Sequence, residues 1–509
     1  MPADPQRTAP HAGTPVHGAV DVLVVGAGPT GLALACDLAR RGVRTHVVEA
    51  GERLFGGSRG KSLQPRTQEA LDDLGVMAEL RAAGGPFPPM QTWRQGRRDG
   101  TWRLLEQDPE APASRYPEPW LVPQWRTQEI LRDRLLALGG TLECGTRLTT
   151  LHQTGRHVLA ELTDAGGGRR TLTVPYLVGC DGGHSTVRET LGIAMKGEEG
   201  DLHPAVVADV RVRDLDRDHW HIWLDDPDRR GVGSLLLCPL PGTDAFQLNA
   251  RADDEGRDLT PDAVRRLIAT RTHVPADAVT EVLWHSYYQP RTALAERFRD
   301  GRVFLAGDSA HAHPPGGGQG LNISVQDAYN LGWKLGQVVR HHAPEALLDS
   351  YEAERRPAAA HVLELSSRLY RTGRSPEGGS EKARHRGRLT HLLSVHYRES
   401  ALSTETRERL SDTAVQAGDR APDLPCVTED GSSRPLHELL RGPHFTLLAV
   451  DRTPPRVPSD VVTHRVTGGA AAERLGAGLF LIRPDGHLGL ATDDPAHLNR
   501  YLTKVGLAD

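Results

Sequence analysis

The sequence predicts an α/β protein: a doubly wound nucleotide-binding domain, interrupted by an antiparallel sheet and followed by a small α/β domain. Three observations support this prediction. A buried apolar run near residue 20 leads into a glycine-rich turn and a helix. β-Branched and aromatic runs separated by turn residues fill the stretch 204–288. Strand and turn patterns return after Gly418, and 509 residues suffice for two to four domains.

The first ordered segment has the order of a Rossmann-like unit. Residues 20–25 form the continuous apolar run that a parallel strand buried on both faces requires. The turn Gly26-Ala27-Gly28-Pro29-Thr30-Gly31 follows directly and opens a helical pattern over residues 32–41. A second strand, residues 45–48, ends on Glu49. The segment is therefore strand, glycine turn, helix and strand, with an acid at the tip of the second strand.

This glycine turn predicts a dinucleotide site. The spacing of Gly26, Gly28 and Gly31 lets backbone N–H groups approach a pyrophosphate at a positive helix end. Glu49, 18 residues past Gly31, can accept hydrogen bonds from a ribose diol and repels a 2′-phosphate. The nucleotide is therefore FAD or NAD rather than NADP, and the spacing does not choose between those two. The residues assigned to this part of the site are Gly26, Gly28, Pro29, Thr30, Gly31 and Glu49.

A second glycine-rich stretch favours FAD. A predicted strand ends in Gly307-Asp308, and a glycine-rich loop then opens a helix whose apolar residues recur at helical spacing. Backbone N–H donors at a positive helix end suit the flavin edge that becomes anionic on reduction, and Asp308 suits polyol hydroxyls. The residues assigned to this half of the site are Asp308, Pro315, Gly318, Gly320, Leu321 and Asn322.

The rest of the chain divides around these motifs. Strands are predicted at residues 205–212, 219–224, 232–237, 245–250 and 279–288, with a helix at 262–270. They indicate a substrate-binding sheet inserted into a discontinuous first domain. The predicted organisation is a disordered N-terminus (1–18), an FAD-binding domain (19–200 and 289–370), the inserted sheet (201–288), a helical connector (371–417) and a C-terminal domain (418–509).

Taken together, the motifs resemble the single-component FAD-dependent aromatic hydroxylases, the family of para-hydroxybenzoate hydroxylase, phenol hydroxylase and the polyketide-tailoring hydroxylases. The resemblance rests on the Gly26–Gly31 fingerprint with Glu49, on residues 176–188, and on the Gly307-Asp308 segment, and it covers roughly residues 19–360. In residues 176–188 it implies that Asp181 and Gly182 serve FAD and also NADPH or NADH, which binds transiently.

The same resemblance suggests three further cofactor contacts and a fold for the C-terminal domain. Arg59, Gln124 and Arg126 match segments that approach the cofactor in the family, and a surface position is the alternative for both arginines. Residues 418–509 resemble the thioredoxin-like appendage of some members. Their only cysteine is Cys426, so this domain has no CxxC pair for dithiol chemistry. We expect it to serve packing or assembly, a homodimer included.

The resemblance implies a monooxygenase of an aromatic, phenolic or polyketide-like molecule. NADPH or NADH would reduce FAD, oxygen would form a C4a-hydroperoxide, and an electron-rich ring carbon would take one oxygen atom while the protein excludes water. Bases that could activate a substrate phenol are His221, His285, Tyr287 and Tyr288. Candidate pocket residues are Trp220, Trp223, Trp284 and Pro314. Structural roles remain the alternative for these bases and tryptophans.

Two other functions remain open: a Baeyer–Villiger oxidation on the same scaffold, and an FAD-binding accessory protein without turnover. Other classes are excluded by composition. A net charge of −5 argues against a polybasic surface for nucleic acid or membranes, and the sequence contains no run of 18 apolar residues. Five widely spaced cysteines predict no disulfide framework and a cytoplasmic protein. His311 and His313 are expected to position the loop rather than to bind a metal.

Overall fold

The computed structural model describes most of the chain. The described residues are 19–105, 109, 111–198, 203–224, 234–252, 259–314, 316–371, 386–408, 410–411 and 413–507. The predicted disorder of residues 1–18 and the assigned residue Pro315 lie outside these ranges.

A six-stranded sheet forms the centre of the first domain and confirms the predicted parallel architecture. Across the sheet the strands are Arg299–Asp300, Val303–Leu305, Tyr176–Gly179, Val22–Val25, Thr45–Glu49 and Thr141–Cys144. Only the first of them runs antiparallel to its neighbour. The three central strands are buried at every residue, as expected for strands covered on both faces.

Helices and three small sheets surround the parallel sheet. The helices are Pro29–Arg40, Pro65–Asp73, Met77–Ala83, Gln124–Ala137, Thr186–Thr190, Gly320–Arg340 and Asp349–Arg371. The strands of the small sheets are Thr146–Gln153, Val158–Asp164 and Arg169–Val174; Met195–Glu198, Thr292–Ala295 and His311–Ala312; and Ser62–Leu63, Trp120–Leu121 and Gly85–Pro86. The fingerprint helix (Pro29–Arg40) packs along the long helix (Gly320–Arg340), which is buried from Asn322 to Val338. A helix buried on all sides belongs to the centre of a large core.

The inserted domain is a seven-stranded, mostly antiparallel sheet with one helix, Pro261–Arg271. Its strands in spatial order are Val279–Tyr288, Ala205–Val212, Ala245–Arg251, Leu235–Pro239, Trp220–Trp223, Met90–Arg94 and Arg97–Trp102. The last two precede the predicted insert, and sequence analysis did not identify them. Met90–Arg94 joins by pairing in parallel with Trp220–Trp223. A sheet edge completed from a distant part of the chain leaves no local sequence pattern.

The two faces of the inserted sheet have different neighbours. On one face, called the helix face, Val264 and Ile268 of the helix Pro261–Arg271 belong to an apolar cluster with the strands. The other, called the inner face, meets the first domain: a Cβ atom built on Gly57 would lie 2.3 Å from the Trp284 ring. Side chains alternate along a strand, so each strand residue belongs to one of these faces.

The C-terminal domain is a second seven-stranded sheet with three short helices. Its strands in spatial order are Thr404–Glu405, Leu488–Thr492, Gly478–Ile482, Phe445–Val450, Val461–Gly468, Pro425–Thr428 and Ser433–Pro435. The helices are Leu436–Leu439, Ala470–Leu475 and Pro495–Lys504. Cys426 is buried, and its Sγ donates to the carbonyl of Arg434 at 3.4 Å.

The connector differs from the helical prediction. The helix Asp349–Arg371 and residues 386–390 are helical, but residues 391–417 contain turns and the short strand Thr404–Glu405. Tertiary contacts hold this stretch: the Arg407 guanidinium donates to the carbonyls of Leu475 and Val415. Its polar, arginine-rich composition suggested an exposed helix because such contacts cannot be seen in local sequence.

A buried ion network joins the C-terminal domain to the first domain. It consists of Lys334, Glu354, Arg483 and Asp485, all of them buried. Lys334 Nζ and Arg483 Nη1 donate to the two carboxylate oxygens of Glu354, each at 2.7 Å. Burial opposes ionisation of Glu354, but the charges of Arg483 and Lys334 hold its pKa below its usual value. The hairpin turn Arg483-Pro484-Asp485-Gly486 is thus part of a domain interface.

Candidate cofactor site

The three glycine-containing motifs meet at one edge of the parallel sheet. They follow the strands Val22–Val25, Tyr176–Gly179 and Val303–Leu305, which are adjacent. Backbone hydrogen bonds continue past the strand ends, from Cys180 N–H to the Val25 carbonyl at 2.7 Å and from Ala306 N–H to the Gly179 carbonyl at 3.0 Å. Ligands of open α/β sheets bind at this carboxyl edge.

Two glycines allow the motifs to approach closely. Gly26 has φ +103°, and a Cβ atom there would lie 2.4 Å from the Cys180 carbonyl oxygen. Gly307 has φ +67°, and its Cβ atom would lie 2.7 Å from Thr30 Oγ1. Both positions combine a backbone conformation that favours glycine with contact to another motif. The fingerprint turn and the Gly307-Asp308 turn are therefore direct neighbours.

Open space lies beside the convergence point. A Cβ atom built on Gly28, Gly182 or Gly320 would meet no atom within 4 Å. Each of these glycines belongs to a different one of the three motifs, so all three motifs border open space. The Asp308 side chain is exposed along this cleft, while the protein around it desolvates the carboxyl group and raises its pKa. A carboxylate exposed to a cleft fits the predicted role of binding polyol hydroxyls. The residues present therefore fit FAD.

Glu49 holds the fingerprint turn in place. Its carboxylate accepts hydrogen bonds from Ala27 N–H at 2.8 Å and from Gly51 N–H at 2.9 Å. Ala27 follows the first strand and Gly51 follows the second, so the acid tethers the turn in addition to its predicted contact with a ribose diol. This second role was not part of the sequence prediction.

We expect Glu49→Ala to weaken FAD retention about tenfold or more, because hydrogen bonds to a charged group contribute about 1.5 to 3 kcal/mol each. The FAD dissociation constant, measured by recovery of flavin fluorescence on dilution, tests this. Glu52→Ala, at a nearby exposed residue, is the control. An unchanged dissociation constant for Glu49→Ala would count against the assignment.

Asp181 caps the short helix Thr186–Thr190. Its carboxylate accepts from Ser185 Oγ at 2.5 Å and from Val187 N–H at 3.1 Å. Burial raises the pKa of Asp181, and these hydrogen bonds oppose the rise. The adjacent Gly182 borders open space, so a ligand can approach this motif at that point.

Of the three residues taken from the resemblance, Arg59 and Gln124 lie at the junction of the two domains. Arg59 Nη2 donates to Ser286 Oγ at 3.2 Å on the inner face, and Gln124 Oε1 accepts from Gly60 N–H at 2.8 Å. Arg126 instead pairs with Glu129 of its own helix at 2.8 Å, and both side chains are partly exposed. This contact is the one that the surface alternative for Arg126 predicts.

The loop before the long helix is fixed by side chains of that helix. Asn322 is buried; its Nδ2 donates to the carbonyls of Ser62 and Gly318, each at 2.8 Å. Asn322 therefore shapes the loop, whereas Leu321 packs near Gly60. Pro314 is buried beside His313.

Two histidines and Asp327 lock the Gly307 turn. Asp327 Oδ2 accepts from Gly307 N–H at 3.0 Å and contacts His311 Nε2 at 2.5 Å, and Arg355 Nε donates to Asp327 Oδ1 at 2.8 Å. His313 Nε2 lies 3.0 Å from His311 Nδ1. This agrees with the expected positioning role. In the described ranges, no group of three or more His, Cys, Asp or Glu side chains is arranged to hold a metal ion.

The inserted sheet separates the substrate-site candidates into two groups. His221 lies on the helix face; Trp93 Nε1 donates to its Nδ1 at 2.9 Å, and its Nε2 lies 2.6 Å from the Asp216 carbonyl oxygen. Burial lowers its pKa. The other candidates on the helix face are Trp223, His285 and Tyr287. We therefore withdraw these four residues from the substrate site, because strand alternation points them toward the helix.

Trp284, Trp220 and Tyr288 lie on the inner face. Tyr288 Oη donates to the His313 carbonyl at 3.1 Å, and burial together with the Asp308 charge raises the pKa of Tyr288 to about 12. Such a phenol stays protonated at neutral pH and is a hydrogen-bond donor rather than a base.

Fold and site together define a flavoprotein with a doubly wound FAD-binding domain. The chain belongs to the family described as "FAD binding domain", whose model matches residues 19–366. It is 40% identical to a flavin-dependent monooxygenase of Mycobacteroides abscessus, covering 95% of this chain and 99% of the relative. These findings confirm an FAD-dependent monooxygenase.

Two polyketide enzymes are also similar. The 12-dehydrotetracycline 5-monooxygenase/anhydrotetracycline 6-monooxygenase of Streptomyces rimosus is 35% identical over 92% of this chain and 94% of its own. The solved ternary complex of aklavinone-11 hydroxylase with FAD and aklavinone has a TM-score of 0.80 and 30% identity, over 96% of this chain and 99% of the other. No helix in the described part of the chain is both long and apolar enough to cross a membrane.

Proposed function

We propose that this chain hydroxylates a planar, polycyclic phenol with oxygen and NADPH or NADH. The observation that carries the proposal is the direct contact between the cofactor site and the inner face of the inserted sheet. A short segment, Gly57–Ser62, makes that contact and is called the bridging segment. Gly57 packs against Trp284 on the sheet side, and Gly60 contacts Gln124 and Leu321 on the cofactor side.

A cavity of about 470 Å³ beside this junction supports a polycyclic ligand. Seven prolines, Phe87 and Leu105 give it rigid apolar walls, and two arginines and two acids, Arg103, Arg217, Glu118 and Asp218, line it with charges of both signs. The volume lies within the range usual for small-molecule sites. Aromatic planar ligands suit such walls.

The cavity adjoins both domains. His391 lines it and follows Thr390, whose side chain lies near Gly317 of the glycine loop. At the other side Phe87 lines it and packs on Trp220, with ring centroids 5.8 Å apart. The names of the similar enzymes, which refer to tetracycline intermediates and aklavinone, support the same ligand class.

When bound, FAD supplies the transfer of electrons and of one oxygen atom from O₂. This chain's residues bind and orient it. The positive end of the fingerprint helix would hold the pyrophosphate, Glu49 and Asp308 would bind the two sugar-like portions, and Asp181 with Gly182 would serve both FAD and the nicotinamide cofactor. The inner face and the bridging segment exclude water from the ring.

The experiment is NADPH and NADH oxidation by the FAD-loaded enzyme with a panel of tetracyclic and anthracyclic phenols. The proposal expects faster oxidation with a ligand, and a product heavier by one oxygen atom that keeps its rings. A lactone of the same mass indicates Baeyer–Villiger oxidation, and binding without nucleotide oxidation indicates an accessory protein. The homodimer stays a prediction, which light scattering tests.

A further inference from the structure

A polar cluster occupies the inner face beside the bridging segment. Asp209 lies opposite Gln247 on one neighbouring strand and opposite Trp284 on the other. Asp209 and Gln247 are only 3% and 2% exposed. Lys61 and Ser58 of the bridging segment complete this phenol cluster of Ser58, Lys61, Asp209 and Gln247.

Hydrogen bonds fix three members of the phenol cluster. Lys61 Nζ donates to Gln247 Oε1, and Gln247 Nε2 donates to the Ser58 carbonyl. The ammonium group also lies 4.6 Å from the centroid of the Trp220 ring, which packs on the cavity-lining Phe87. Lys61 is half-buried, so it is the member that a ligand in the cleft reaches first.

One carboxylate oxygen of Asp209, Oδ1, is available to accept a further hydrogen bond. In the described part of the chain, its Oδ1 is buried and has no hydrogen-bond partner. Such a buried acceptor is costly unless a ligand or proton satisfies it. Burial raises the pKa of Asp209 to about 7, and the neighbouring Ser58 and the charge of Lys61 oppose the rise. Within the described ranges, Lys61 is the charged residue that acts on the Asp209 carboxyl.

We infer that Lys61 binds the phenolic oxygen of the substrate and that Asp209 takes up the phenolic proton. The inference rests on the proposed function and names the groups that activate its substrate. The phenol O–H bond breaks, its proton forms an O–H bond with Asp209 Oδ1, and the electron pair stays on the phenolate, beside the Lys61 ammonium. A phenolate gives the ring more electron density for attack on oxygen, and an acceptor that titrates near neutrality suits this transfer.

The stability of Asp209→Asn gives a first test. The raised folded pKa means that Asp209 contributes stability below its ordinary pKa and loses it as pH rises through about 7. We therefore expect the melting temperature of the variant to exceed that of the wild type at about pH 8, by a margin that shrinks toward pH 4. Asp244→Asn, at an exposed aspartate before the neighbouring strand, should show no such trend. Equal pH profiles for wild type and Asp209→Asn would overturn the burial argument.

The decisive test follows ionisation of a bound phenol without turnover. The FAD-loaded enzyme, without NADPH or NADH, is titrated at about pH 8 with 2-naphthol, a fused-ring phenol that stays protonated in water at this pH. We expect a phenolate band on binding and little proton release to the buffer, because the negative charge of the new phenolate raises the pKa of the neighbouring Asp209 further and so keeps the proton on it. Proton release is measured by calorimetry in two buffers of different ionisation enthalpy.

The variants separate the two roles. Lys61→Met should lose the phenolate band, with the apparent pKa of bound naphthol shifted upward by at least about one unit, a tenfold change. Lys61→Arg should keep the band. Asp209→Asn should keep it but release close to one proton per naphthol bound, a signature that a merely structural residue would not give. Lys196→Met, at an exposed lysine of another cavity, is the matched control.

Flavin content and circular dichroism establish that each variant is folded. No phenolate band in the wild type, or an unchanged band in Lys61→Met, overturns the inference, and so does equal proton release by the wild type and Asp209→Asn. Failure of the proposed function is a different result: a phenolate band that responds to the variants, with no ligand-stimulated nucleotide oxidation by any phenol of the panel.

Discussion

We expect Asp308→Ala to lose most of its bound FAD while the fold stays intact. Asp308 stands at the tip of a buried strand, its carboxylate is exposed to the cleft, and the preceding Gly307 lies against Ser324 of the long helix. Two hydrogen bonds from polyol hydroxyls to a charged carboxylate contribute about 1.5 to 3 kcal/mol each. Their loss weakens FAD binding by about 100-fold or more.

The ratio of flavin to protein absorbance after purification measures this loss, and circular dichroism monitors the fold. Asp300→Ala is a matched control, since Asp300 lies on the adjoining short strand and pairs with Arg297 outside the cleft. A purified Asp308→Ala protein as yellow as the wild type would refute the assignment of this carboxylate to the cofactor.

The second large effect is expected at the domain interface. Glu354→Ala removes the carboxylate between Lys334 and Arg483 and leaves two buried cations without their shared counter-ion. Breaking a buried ion pair on one side costs about 3 to 5 kcal/mol, because the remaining charge is not solvated. We therefore expect a lower midpoint of urea unfolding and earlier loss of contact between the C-terminal and first domains.

Urea unfolding followed by tryptophan fluorescence measures this effect, since Trp333 donates to Asp485 within the same interface at 3.0 Å. Glu296→Ala, at an exposed glutamate paired with Lys196, should leave the midpoint unchanged. An unaltered midpoint in Glu354→Ala would mean that the buried ion network does not join the domains energetically.

Local patterns predicted the cofactor half of the protein. The glycine fingerprint, Glu49 and Asp308 each follow a short buried strand, and strand ends in a parallel sheet meet at one edge. Gly26 and Gly307 illustrate the reason: a turn with positive φ and a following helix are encoded within a few residues. The closeness of Thr30 and Gly307 follows from the order of the strands alone.

Local sequence patterns did not predict the arrangement of the substrate half of the protein. His221 and Trp223 match the composition of an aromatic pocket, yet alternation along their strand places them on the helix face. Lys61 and Asp209 carried no local signal, because they are 148 residues apart and become neighbours only when the bridging segment crosses the inserted sheet. A lysine among only five in the chain, close to a predicted cofactor arginine, was the one available hint.

The sequence by itself determined the class of this protein: strands, turns and glycines encode the nucleotide-binding edge through short-range sterics and hydrogen bonding. Only the tertiary structure decided which face of the inserted sheet meets the first domain, which residues join the C-terminal domain, and which carboxylate is buried beside a lysine. Those outcomes depend on burial and on charge pairs between distant segments, and neither is a property of any local stretch of chain.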